Sequence, residues 1–99
     1  MRITFRPNDT GHPLGKLADA ELGFDEGPLD GLKLVGFAVW ERRDGRRYVT
    51  LPMRKYSKDG ERRSFTLLRA IGDGAAQDRL REAILDAYRE HEISLAASA

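Results

Sequence analysis

Apolar positions recur every second residue along the first two thirds of the chain, then at helical spacing to the end. MRITFRP opens with Ile3 and Phe5 on one face of a short strand, which Pro7 ends. Asn8–Gly15 (NDTGHPLG) is turn chemistry. Across Lys16–Phe24, Ala18, Ala20, Leu22 and Phe24 face one way and Asp19 and Glu21 the other, as in a half-buried strand. After a loop at Asp25–Gly31, Leu32–Glu41 (LKLVGFAVWE) is apolar on both faces. Leu34, Ala38 and Trp40 oppose Val35, Phe37 and Val39, predicting a central strand covered on each side, its second face by the C-terminal helix or a partner subunit. Gly36 marks a bend or a close backbone approach. Asp44-Gly45 predicts a hairpin turn into the strand Tyr48–Pro52. Asp59-Gly60 is a second turn of this kind, followed by the alternating ERRSFTLLR.

From Ala75 to His91 the period becomes helical, with Ala76, Leu80, Ala83, Ile84, Ala87 and Tyr88 on one stripe. Asp73 is the expected N-cap, and Asp78 suits the helix start through the dipole. The weakly patterned tail, residues 93–99, is expected to fray. These elements predict an α+β fold: one antiparallel sheet of about five strands with a C-terminal amphipathic helix, a single domain over residues 1–99.

Charge changes this picture more than composition does. The chain's net charge is +1, yet Arg42–Arg69 holds ten basic and three acidic side chains, a net +7. The flanking segments, 1–41 and 70–99, are each at −3, with four basic against seven acidic and three basic against six acidic. Such a block meets anionic partners or protects an exposed sheet edge. Arg42, Arg43, Arg46 and Arg47 surround the first Asp-Gly turn, and Arg54, Lys55, Lys58, Arg62 and Arg63 the second. Two neighbouring hairpin loops are therefore expected to form one positive face. Thirteen arginines to four lysines suits bidentate phosphate contacts, and Tyr48 and Tyr56 suit stacking on unpaired bases. Nothing resembles a base-reading recognition helix, so backbone-dominated, salt-sensitive binding is expected.

YVTLPMRKYSKDGERR, followed after a spacer by LREAILDAYREH, resembles the stage V sporulation protein G (SpoVG) family. That family carries an aromatic-Val-x-x-Pro strand, a basic stretch with an Asp-Gly-Glu turn and a closing Ala-[Val/Ile]-Leu-x-x-Tyr helix. MRITFRP, KLADAELGF and LKLVGFAVWE are similar to its first three strands, so the resemblance covers about Met1 to His91. It implies a small antiparallel sheet with a C-terminal helix, assembled as a homodimer. It also implies a bacterial regulator linked to sporulation, septation or gene expression that binds DNA or RNA. By position, Arg79 falls in a slot that is basic in relatives, whereas Gln77 departs from another such slot and Asp78 beside it is acidic.

Other chemistry finds little support. His12 and His91 are the only imidazoles and read as surface residues. Without cysteine there is no disulfide, thiolate ligand or cysteine nucleophile, and Ser57, Ser64 and Thr66 have no evident histidine partner. No cofactor, metal or enzymatic activity is expected, Gly72–Gly74 being too short for a nucleotide loop. With no export signal or apolar span, cytoplasmic residence is expected. Nucleic-acid binding thus rests on Arg42, Arg43, Arg46, Arg47, Arg54, Lys55, Tyr56, Lys58, Arg62, Arg63 and Arg79. The alternative is a non-enzymatic adaptor whose basic loops bind an acidic protein.

Overall fold

Among the described residues the chain forms six strands and one long helix, and the strands divide between two antiparallel sheets. The structure is a computed structural model describing residues 1–98. Strands β1 (Arg2–Pro7), β2 (Lys16–Gly23), β3 (Lys33–Glu41) and β4 (Arg47–Thr50) form a four-stranded sheet in the order β1-β2-β3-β4. Strands β5 (Met53–Lys58) and β6 (Glu61–Thr66) form a separate two-stranded ribbon, and helix α1 (Ala75–Ser98) closes the chain. The α+β class is as expected from the sequence. The single sheet of about five strands is not: Met53–Lys58 is a sixth strand, and its hairpin stands apart.

One face of the four-stranded sheet carries the core. Ala20, Leu22, Phe37, Val39, Val49 and Leu51 are buried there together with Ile84 of α1. Ile3, Phe5, Leu34, Leu80, Leu85 and Tyr88 pack around them. The helical stripe is rotated from the one predicted. Ala76 and Ala83 are exposed, while Gln77, Leu85, His91 and Glu92 turn inward beside Ile84 and Tyr88. Long side chains reach the sheet better than alanines, and the Gln77 amide donates to the Leu68 carbonyl at 2.9 Å, drawing that side of the helix down. Asp73 lies one residue before the expected cap position, because the Gly74 carbonyl accepts the first helical bond, and its carboxylate still accepts from the Ala75 amide at 3.0 Å. The segment expected to fray continues α1 to Ser98, with Ile93 and Leu95 exposed on it.

Gly36 decides which β3 residues reach the core. Its φ is +105°, and a Cβ there would lie 3.1 Å from the Pro52 Cβ. Register against β2 shifts at this point: Phe37 faces Ala20, while Leu34 faces Leu22. The extra residue is a bulge, and a bulge exchanges the faces of the residues on either side. Leu34 therefore joins Phe37 and Val39 on the core face, and Val35, expected beside them, is 52% exposed. The opposite face of the sheet is mostly polar, with Glu21 bridging Lys33 at 3.1 Å and lying near Arg6. There Trp40 donates from Nε1 to the Thr50 hydroxyl at 2.8 Å and stacks on Tyr48.

Ile84→Ala should lower stability by about 2–5 kcal/mol in urea unfolding, because it empties a fully buried site. Leu95→Ala, on the exposed helix end, should change it by less than about 0.5 kcal/mol. Gly36→Ala should cost about 1–3 kcal/mol, the strain of a left-handed alanine pressed against Pro52.

Candidate nucleic-acid interface

The β5–β6 ribbon holds the densest group of free cations. Its turn is built by Asp59 and Gly60, with φ of +53° and +77°, the pair of left-handed residues that a tight type I′ hairpin needs. That turn fixes the register: Arg54 faces Phe65, Lys55 faces Ser64, Tyr56 faces Arg63, Ser57 faces Arg62 and Lys58 faces Glu61. Residues directly opposite share a face. One face thus carries Arg54, Tyr56, Lys58, Glu61, Arg63 and Phe65, and the other Met53, Lys55, Ser57, Arg62, Ser64 and Thr66.

No residue of β5 or β6 is buried, and only Phe65 and Thr66, at the base, are partly covered. The Leu67 amide donates to the Pro52 carbonyl at 2.8 Å and pins that base. Above it the ribbon projects as an arm. The molecule measures 51 × 38 × 24 Å with a radius of gyration of 15.1 Å, against about 13 Å for a compact chain of this length. Arg54, Lys55, Lys58 and Arg62 form no ion pair among the described residues, and Arg63 reaches only its neighbour Glu61 at 3.1 Å.

The first basic turn lies elsewhere. Arg43–Gly45 forms a short loop closed by the Gly45 amide donating to the Arg42 carbonyl at 2.9 Å, at the start of β4. The arm departs from the other end of β4, through Leu51 and Pro52. The two turns therefore do not build the single continuous face expected from the sequence. Arg42 lies over the Tyr48 ring at 5.1 Å, Arg46 is 3.8 Å from Asp44, and Arg43 is exposed. Arg79 is exposed on α1, in a shallow hollow that it shares with Asp78, Glu82 and Asp86.

Arg47 is drawn inward. Its guanidinium bonds both carboxylate oxygens of Glu92, donates from Nε to Glu41 at 3.2 Å, and lies 5.4 Å from the centre of the Tyr88 ring. The bond to Glu92 raises its pKa further above the ordinary arginine value; burial opposes this, and the bond to Glu41 adds a smaller upward effect. Burial likewise raises the Tyr88 phenol, with Glu92 adding to it. This cluster fastens α1 to the β3–β4 hairpin. His91, read from the sequence as a surface residue near a helix end, is half-buried mid-helix with its ring 5.3 Å from Phe5.

Two residues of the arm were not singled out in the sequence. Phe65 lies 5.7 Å from Tyr56 across the strands, and Arg69 sits 5.4 Å over the Phe65 ring. The signal was present: an Asp-Gly turn with the pairing it imposes places Phe65 diagonally from Tyr56. Among the described residues no three His, Asp or Glu side chains converge on a metal position, and no helix is long and apolar enough to cross a membrane. No family model, curated protein or solved structure matches the chain. The resemblance to SpoVG therefore rests on the sequence motifs alone.

Arg47→Gln should lower stability by about 1–3 kcal/mol, the cost of leaving half-buried carboxylate bonds unmade, whereas Arg43→Gln should stay within about 0.5 kcal/mol. Stability should also fall as pH rises above about 10. There the unfolded chain's tyrosine ionises first while native Tyr88 stays protonated, so rising pH favours unfolding. Tyr88→Phe should reduce that alkaline loss in urea titrations across pH.

Proposed function

We propose that this chain is a non-enzymatic nucleic-acid-binding protein that uses the β5–β6 arm as its principal contact. The observation that carries the reading is the arm itself: an uncovered ribbon in which, among the described residues, Arg54, Lys55, Lys58 and Arg62 have no ion pair and Arg63 has only an exposed carboxylate. Cations committed to folding sit against carboxylates, as Arg47 does. Those of the arm remain available to phosphate oxygens, which arginine engages in bidentate geometry. Arg42, Arg43 and Arg46 supply a second, smaller patch at the β3–β4 turn. The resemblance to SpoVG supports a homodimer acting in bacterial gene regulation, sporulation or septation.

Binding of this kind is dominated by the phosphate backbone and falls with salt. Five neutralised phosphates give a log–log salt slope of about −3.5 on single strands and about −4.5 on duplex. Fluorescence anisotropy with short labelled DNA and RNA, single- and double-stranded, across salt concentrations measures it. Combined Arg54→Ala, Lys55→Ala, Arg62→Ala and Arg63→Ala should weaken binding at least tenfold at low salt and flatten the slope to about −1, with the urea midpoint unchanged. Equal loss on replacing Arg42, Arg43 and Arg46 by alanine instead would remove the arm from its principal role. No binding at low salt to any of the four, with a defined acidic protein bound through the arm, would favour an adaptor.

A further inference from the structure

The two faces of the arm differ in kind. Beyond Met53 at the base, Lys55, Ser57, Arg62, Ser64 and Thr66 make one face cationic and hydroxylic, without an aromatic ring. The opposite face sets Tyr56 and Phe65 side by side among Arg54, Lys58 and Arg63, with one carboxylate, Glu61, on Arg63 and with Arg69 over Phe65 from beyond the strand. Tyr56 is 40% exposed although no core lies beneath it. Cross-strand aromatic packing accounts for the pairing of the two rings, and it does not account for their encirclement by cations.

We propose that this aromatic face binds unpaired nucleotides, so that the arm prefers single-stranded over double-stranded nucleic acid. The inference rests on the nucleic-acid reading above and assigns its substrate class. A base in a duplex has its faces covered by its neighbours; an unpaired base offers a π-face that a tyrosine or phenylalanine ring can stack on, whatever its sequence. Tyr56 and Phe65 provide that surface, with the Arg69 guanidinium 5.4 Å from the centre of the Phe65 ring. From Arg54 to Lys58 the face runs about 14 Å, enough for a few nucleotides, with cations at both ends and at Arg63 to hold the phosphates. Tyr48, the other tyrosine of the basic segment, is placed differently. It is stacked on Trp40 with a centroid separation of 6.2 Å and carries Arg42 on its ring, so it belongs to the four-stranded sheet.

Affinities for a single-stranded oligonucleotide and its duplex, measured at the same salt, test the proposal on the full chain. The unsubstituted protein should bind the single strand more tightly. Tyr56→Leu and Phe65→Leu keep apolar contact across the ribbon and remove the rings. Each should weaken single-strand binding by about 5- to 150-fold and leave duplex binding within about twofold. Lys55→Ala with Arg62→Ala, on the opposite face, should weaken both ligands alike. Tyr56→Trp should retain single-strand binding, and its added fluorescence should be quenched by the single strand and not by the duplex. Tighter duplex binding, or equal losses on both ligands in the leucine variants, would overturn the stacking face while leaving nucleic-acid binding intact. Failure of every oligonucleotide to bind would instead refute the underlying reading.

Discussion

One helix has to cover the apolar face of the four-stranded sheet that carries the core, and the rest of the arrangement follows. Ile84 enters the cluster of Phe37, Val39 and Val49 with no exposed surface left. Burial of such side chains is what a chain of this size has to offset its conformational entropy. With α1 committed to that sheet, none of the described residues buries β5 or β6, and only Phe65 and Thr66 at the base are partly covered. The ribbon must then stand on its turn, its ladder and a few cross-strand contacts, which is near the lower limit for a two-stranded structure in water. The same commitment recruits Arg47, because a guanidinium near the helix–sheet seam gains from Glu92 and Glu41 what it loses in hydration.

Much of the architecture was legible in the pattern of residues. Alternation located β1, β2, β3, β4 and β6, the helical period located α1, and the Asp59-Gly60 turn acts as its chemistry requires. Met53–Lys58 is not legible as a strand because neither of its faces is apolar, so no period marks it. Val35 and Leu34 traded places because Gly36 adds a residue, and a bulge is invisible to a strict period of two. Beyond His91 the helix continues without a buried stripe. Its final residues are mainly good helix formers on a helix already nucleated, so packing is not what extends it.

The candidate site was legible in content and not in layout. Composition located the cationic block between Arg42 and Arg69, since charge counting needs no geometry. It could not divide that block. Which end of β4 each turn occupies depends on strand pairing, and the removal of Arg47 depends on a carboxylate 45 residues along the chain. Phe65 reads in the sequence as one more alternating apolar residue. Only its pairing across the ribbon places it beside Tyr56 and beneath Arg69.

An arm without a buried side chain has an evolutionary consequence. Substitutions at its outward positions leave the packed body untouched, so selection for folding and selection for ligand act on different residues. Descendants of this chain can exchange one set of contacts for another on the ribbon without passing through forms that fail to fold.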